Sequence, residues 1–196
     1  MIKRKSIGII NTFLALMIVA LLCVPSALVY AYTTTGIKLN TDYTLTFVPY
    51  SGFEATSISH FNEALYQWNS AAGITLMSRE PTLRHSSTTF PEDDNKTRIY
   101  KAYADPSAPG WTRVYTSTLT PNIAKSVDID INTAFTWANS ATPGAYDVWT
   151  VFIHEAGHAA GLGHTTSNGA VMNVYPAGNT YRYLNSDDIN GITSLY

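Results

Sequence analysis

The sequence predicts a single α+β domain, and three observations lead there. Five short segments read as strands, the first and last by alternation of apolar and polar side chains, others by their β-branched and aromatic content. Two further segments repeat apolar residues at helical spacing, and a third opens on an aspartate placed to cap a helix. The elements come in the order β-α-β-β-β-β-α-loop-α, without a helix after each strand, so an all-parallel α/β sheet is not expected.

The N-terminal segment is expected to lie outside that domain. Lys3, Arg4 and Lys5 open the chain, and residues 13–24 (FLALMIVALLCV) form an unbroken apolar run. Pro25 and Ser26 end it, and Val29-Tyr30-Ala31 places short side chains where a signal peptidase reads. A spanning helix needs about 20 apolar residues, and Asn11 and Thr12 interrupt the run upstream. A cleaved secretory signal peptide over residues 1–31 is therefore preferred to an uncleaved membrane anchor. The domain is then residues 32–196, and the protein is read as secreted.

Removing that segment takes away three cations. Nine basic residues then face fourteen acidic ones, a net charge of −5. No nucleic-acid partner is expected, because such a binder needs a basic face. The only cysteine, Cys23, lies inside the apolar run, so the domain has no disulfide. About 165 residues bury a sufficient core without one.

Along the domain, residues 32–41 are polar and read as a loose lead-in. Residues 42–50 read as the first strand, with Tyr43, Leu45 and Phe47 on one face. Residues 57–71 read as a helix: Phe61, Ala64, Leu65 and Trp68 share a face, Ser57 or Ser59 caps the start, and Gly73 ends it. Residues 74–79 form a second strand and 80–96 a long polar loop. Strands follow at 97–104 and 111–118, rich in β-branched and aromatic residues. Val127, Ile129 and Ile131 alternate with Asp128, Asp130 and Asn132, which predicts a fifth strand with one wet face. After a Thr142-Pro143-Gly144 turn, Asp147 caps a helix running to about Ala160. Ser186 caps a last helix, with Asp187 and Asp188 favourably at its positive end and Ile189, Ile192 and Leu195 or Tyr196 as its buried stripe.

The chemistry is concentrated in HEAGHAAGLGH, residues 154–164: His154-Glu155-Ala156-Gly157-His158-Ala159-Ala160-Gly161-Leu162-Gly163-His164. His154 and His158 are four apart, so on a helix they project from one face, about 6 Å apart along the axis. Two imidazoles so placed chelate one zinc at about 2.0–2.1 Å. Glu155 lies about 100° round the helix. It is no ligand, but it reaches a metal-activated water as general base. Gly161 accepts the positive φ that stops the helix and lets His164 return as the third ligand. Three neutral ligands leave a fourth position open, the mark of a catalytic zinc. A chance match to these five fixed positions arises on the order of once in ten thousand chains of this length. Scattered surface histidines are therefore a poor explanation.

This pattern resembles the metzincin signature, in which the third histidine is followed by a Met-turn. Met172 lies eight residues after His164, in Gly169-Ala170-Val171-Met172-Asn173. The tail LNSDDINGITSLY, residues 184–196, resembles the end of a matrixin catalytic domain. The resemblance implies a metzincin fold: a twisted five-stranded mixed sheet, an active-site helix and a small C-terminal subdomain. It implies a secreted zinc endopeptidase, acting as a monomer on protein or peptide substrates. Met172 would form an apolar floor below the ligands. An edge strand over Arg113, Val114, Tyr115 and Thr116 would pair with the substrate. Thr150, Val174, Tyr175 and Pro176 would line the pocket for the residue after the cleaved bond. The sequence shows no cysteine-switch propeptide, haemopexin-like domain or His-Gly-Asp loop for a second zinc, and so resembles a minimal, bacterial-type member.

Weaker signals remain. Glu92-Asp93-Asp94-Asn95 could bind Ca2+ but lacks spaced ligands and reads as a solvated loop. His60 and His85 share no carboxylate pattern and read as isolated. The rival function is a non-catalytic binding protein, an adhesin or toxin component on a metzincin scaffold. Such a protein would be expected to lack Glu155 or a ligand, and this one has all four.

Overall fold

The computed structural model describes residues 31–89, 93–103, 107–175 and 177–196. Apart from Ala31, the expected signal peptide lies outside them. The elements are β1 (Leu45–Pro49), α1 (Ala55–Ala72), β2 (Met77–Arg79), β3 (Arg98–Tyr100), β4 (Gly110–Thr116), β5 (Ala124–Ile131), β6 (Trp137–Ala138), β7 (Tyr146–Asp147), α2 (Val148–Ala159) and α3 (Ser186–Thr193). Five strands form one sheet in the order β2-β1-β3-β5-β4. All neighbours are parallel except β4, which runs antiparallel to β5 along one edge. This is the α+β fold with a mixed five-stranded sheet. A short parallel pair, β6 and β7, was not legible in the sequence.

The helices pack through the faces that their spacing implies. α1 buries Phe61, Ala64, Leu65 and Trp68. The Phe61 ring lies 4.3 Å from that of Phe152 in α2, and the Trp68 indole N–H donates to the Ile153 carbonyl at 2.8 Å. Each fully buried aromatic contributes about 1.5–3 kcal/mol, and the indole bond adds direction to the contact. α1 therefore fixes both the position and the rotation of α2. Gly73 ends α1 in the left-handed conformation, with φ 71°.

Several boundaries differ from the sequence reading. α1 starts after Glu54 with no side-chain cap, and Ser57 sits inside the helix, buried, its hydroxyl donating to Asn139. α3 is capped by Asn185, not Ser186; the Asn185 side chain accepts from the Asp187 and Asp188 amides. A favourable cap residue one position earlier won. Ile189 is 41% exposed and leaves the buried stripe to Ile192. β3 spans only three residues: all three pair with β5, and Arg98 and Ile99 pair with β1 as well. The lead-in is not loose: Leu39 is buried, Thr35 N donates to Gly161 O at 2.8 Å, and Lys38 pairs with Ile123.

The largest correction concerns β5. Asp128, Asp130 and Asn132 do alternate with the core residues, but their face is dry: all three are at most 1% exposed. Alternation separates polar from apolar faces without saying what covers the polar one. Here the polar side chains serve neighbouring backbone. Arg98 N donates to Asp128 Oδ1 at 3.1 Å and Ala102 N to Asp130 Oδ1 at 2.8 Å. The Asn132 amide donates to the Ala108 carbonyl at 2.9 Å. Each aspartate keeps one buried oxygen, Oδ2, without a hydrogen-bond partner. Burial pushes both carboxyls up from 3.8 to about 7.

These groups bind protons more tightly folded than unfolded. The stability they contribute is fully present below about pH 4 and is lost as pH rises through 7. Asp128→Asn, which cannot ionise, should therefore raise the melting temperature at pH 8. The gain should largely disappear near pH 4. Calorimetry across this range checks it, and an equal gain at both pH values would contradict it.

Candidate metal centre

The centre is built on α2 and on the chain reversal that follows it. Asp147 caps the helix, accepting from Thr150 N at 2.9 Å. Arg182 grips the same carboxylate with Nε at 2.9 Å and Nη2 at 2.5 Å. Burial alone would raise the Asp147 carboxyl, but these bonds hold it below its ordinary value. The helix then carries His154 and His158 on successive turns and stops at Ala159.

Gly161 turns the chain. Its φ is 100°, and a Cβ there would collide with the Ile37 carbonyl oxygen. No other residue meets both conditions. Leu162 N returns to Gly157 O at 3.0 Å, and the Thr33 hydroxyl donates to His164 O at 2.7 Å. His164 is thereby carried back over the helix.

The three imidazoles converge, with candidate ligand atoms all within 4.8 Å of one another. His154 Nδ1 lies 2.7 Å from Val171 O and His158 Nδ1 lies 2.8 Å from Leu162 O. A carbonyl only accepts, so each Nδ1 carries the hydrogen and each neutral ring presents its Nε2 lone pair. His158 Nε2 and His164 Nε2 are 3.1 Å apart. Nitrogens bound to one tetrahedral zinc stand about 3.3 Å apart, from bonds of about 2.0–2.1 Å. Without a cation, a hydrogen on His164 Nε2 can be shared with the His158 Nε2 lone pair, and the spacing is close to that of two zinc ligands. The donor set therefore fits zinc. Burial also pushes the His154 imidazole down to about 4, with a further push from His164, and lowers His158. Both rings are thus kept in the neutral, ligating form.

Glu155 follows His154 on the helix and is 6% exposed. Burial raises its carboxyl above the ordinary value, against the opposing pull of His158 and of the Thr112 hydroxyl. Thr112, in β4, donates to Glu155 Oε2 at 2.7 Å. The sequence reading missed this residue, because strand alternation does not reveal which helix a strand faces.

Met172 lies under the helix. A Cβ on Gly157 would overlap its sulfur and stand 2.8 Å from Trp68 Cζ2, so Gly157 is small because the methionine fills its space. Asp188 of α3 holds the turn: its carboxylate accepts from Val171 N at 2.8 Å and Met172 N at 3.1 Å. Asp187 accepts from Ala31 N, Tyr32 N and the Thr165 hydroxyl. From sequence, both aspartates read as residues suited to the positive end of a helix. They prove to be tertiary ties as well.

The triad opens into a cavity of about 620 Å³, lined by residues including Gly110, Thr112, Val114, Thr150, Val174 and Tyr175. Thr150, Val174 and Tyr175 thus line the same cavity as the histidines, and Pro176 lies outside the described residues. The Thr150 hydroxyl is engaged, donating to Asp147 and accepting from Tyr181 N. Of Arg113, Val114, Tyr115 and Thr116, only Val114 lines the cavity. Arg113 and Tyr115 lie opposite Asp128 and Ser126, and Thr116 follows a register shift. The strand face toward the site begins earlier, at Gly110.

The other signals stand apart from this centre. Asp93 pairs with Lys125 and Asp94 with Arg98, while Glu92 lies outside the described residues. These partners occupy carboxylate oxygens that Ca2+ would need. His60 stacks on Trp149, and His85 lies between Tyr50 and Tyr100. Among the described residues, the group of metal-ligating side chains is the triad.

The sequence model of the Matrixin family matches residues 38–196. The chain is a matrixin. Relatives of this matrixin include human Matrix metalloproteinase-25, 36% identical over 66 residues that make up 31% of this chain and 12% of that protein. Mouse Interstitial collagenase A is 34% identical over 91 residues, 45% of this chain and 18% of that protein. Human Matrix metalloproteinase-20 is 43% identical over 58 residues, 26% of this chain and 11% of that protein. The matches thus cover less than a fifth of each relative's length. Matrixins are zinc-dependent peptidases, and this matrixin presents a three-histidine set suited to the metal.

Calorimetric titration of metal-free protein should find one tight zinc site. His158→Ala should lose it, while Met172→Leu should keep it, since the methionine supports the site without ligating. Loss of zinc in Met172→Leu with the fold intact would show the sulfur to be a ligand.

Proposed function

We propose that this matrixin is an exported zinc endopeptidase that cleaves extended segments of protein or peptide substrates. The observation that carries the reading is the convergence of three imidazoles beside a buried carboxylate, in a cleft walled by an edge strand. His154, His158 and His164 would hold zinc, which when bound supplies the Lewis acidity that acidifies a water and polarises a peptide carbonyl. Glu155 handles the proton: it takes one from the attacking water and delivers it to the departing amine as the C–N bond breaks. Its raised carboxyl suits the first half, since a stronger base accepts the proton more readily near neutral pH.

Substrate binding is assigned to β4. The strand has a neighbour, β5, on one side only within the sheet. An extended peptide can add to the other side as a further antiparallel strand, through main-chain bonds that are tolerant of sequence. Choice then falls to the pocket at Thr150, Val174 and Tyr175. Threonine is short, and Val151 and Val171 make the adjoining cavity wall apolar. A medium or large apolar side chain such as Leu or Phe, directly after the cleaved bond, suits this space. Each methylene buried there contributes about 0.8 kcal/mol, or about fourfold in rate if fully realised in the transition state. Export rests on the basic start, apolar run and cleavage site of residues 1–31.

Glu155→Ala should abolish peptide hydrolysis while one zinc stays bound, measured by cleavage of a peptide library and by metal analysis. Wild-type activity in that variant would remove Glu155 from the mechanism. Thr150→Arg should fill the pocket and shift the cleavage profile toward small residues after the scissile bond, with Thr150→Val as control for the lost hydroxyl bonds. A profile unchanged in Thr150→Arg would place the pocket elsewhere.

A further inference from the structure

Helical spacing brings Glu155 to the site, but it does not orient the carboxylate. A glutamate side chain has several rotamers, and a base must present one oxygen at a defined place. Two residues of β4 supply that orientation. Residues two apart on a strand share a face, so Gly110, Thr112 and Val114 all point one way. They pair with Ile131, Ile129 and Val127, the core-facing residues of β5. This is the face that meets α2.

At Gly110 the side chain is missing where the carboxylate lies. A Cβ there would stand 2.5 Å from Glu155 Oε1 and 2.8 Å from its Cγ. The φ of Gly110 is not positive, so backbone freedom does not call for glycine here; space does. At Thr112 the hydroxyl lies 2.7 Å from Glu155 Oε2 and 3.0 Å from the Glu155 carbonyl oxygen. A hydroxyl has one hydrogen to give, and both acceptors belong to Glu155. Either bond ties this residue to β4.

We infer that Gly110 and Thr112 form a cradle that orients the Glu155 carboxylate, with Thr112 as a positioning residue acting through its hydroxyl. Oε2 is held by the strand, and Oε1, seated against Gly110, is the oxygen that exchanges the proton. The same strand thus serves the substrate with its backbone and the base with its side chains. The kinetic consequence rests on the peptidase reading above. The geometric consequence does not.

The test compares Thr112→Val, which removes the hydroxyl, with Thr112→Ser, which keeps it. Thr112→Val should lower kcat about tenfold or more, the loss expected for a hydrogen bond to a charged group. KM and zinc content should stay near wild type, because the β4 backbone and the ligands are untouched. Thr112→Ser should restore most of kcat. In crystals, the Glu155 carboxylate should leave β4 in Thr112→Val and remain there in Thr112→Ser. Gly110→Ala should displace it from the other side and serve if Thr112→Val does not fold. An unchanged kcat in Thr112→Val, a rise in KM in its place, no rescue by serine, or an undisplaced carboxylate would each overturn the cradle. If wild-type protein hydrolyses no peptide, the peptidase reading fails, and the crystallographic comparison still decides the cradle.

Discussion

Three imidazoles, two on one helix and one beyond it, have to be held together at one point. That constraint organises the molecule. Helical geometry brings His154 and His158 to one face with no outside help. His164 depends on the reversal at Gly161, where a positive φ and the close Ile37 carbonyl both exclude a side chain. The reversal is itself supported: Thr35 and Thr33 of the lead-in bond to Gly161 and His164, and carbonyls of Leu162 and Val171 orient two of the rings. A polypeptide that relaxed at any of these points would let the nitrogens separate.

The support below the ligands is equally specific. Gly157, Met172 and Trp68 are stacked so closely that a methyl group on the glycine would not fit. Asp188 holds the methionine turn by two backbone amides from a different helix. Trp68 in turn is tied to the Ile153 carbonyl, on the same helix as the ligands. Packing and hydrogen bonding thus converge on one turn of α2, with α1 on one side and α3 on another.

Carboxylates perform most of the buried polar work. Asp128 and Asp130 accept backbone amides across the sheet, Asp147 caps α2 and pairs with Arg182, and Asp187 and Asp188 tie α3 to distant segments. An aspartate can accept several bonds at once, which suits it to joining backbone segments that have no strand partner. The cost is desolvation. Asp147 is compensated by a guanidinium and its carboxyl stays low, whereas Asp128 and Asp130 keep an oxygen without a partner and are pushed up to about 7. The same desolvation acts on Glu155 and raises its carboxyl.

The sequence alone determined the local features, because each rests on spacing within one element. The i, i+4 histidines, the glycine stop, the capping aspartate, the buried face of α1 and the presence of five strands were all legible. So was the family resemblance, which the residue pattern carries directly. What only the tertiary structure decided concerns which surfaces meet. Alternation marked Asp128 and Asp130 as a separate face but could not show it dry, since that depends on the neighbouring backbone. Asp187 and Asp188 read as acidic residues at a helix start, and their bonds reach residues more than a dozen positions away. Thr112 and Gly110 carried no signal in the sequence, because they matter only where β4 faces α2, 43 residues later for Thr112. Period and capping are properties of a few neighbouring residues. Dryness, clamping and the orientation of a base are properties of contacts between distant ones, which exist only once the chain has folded.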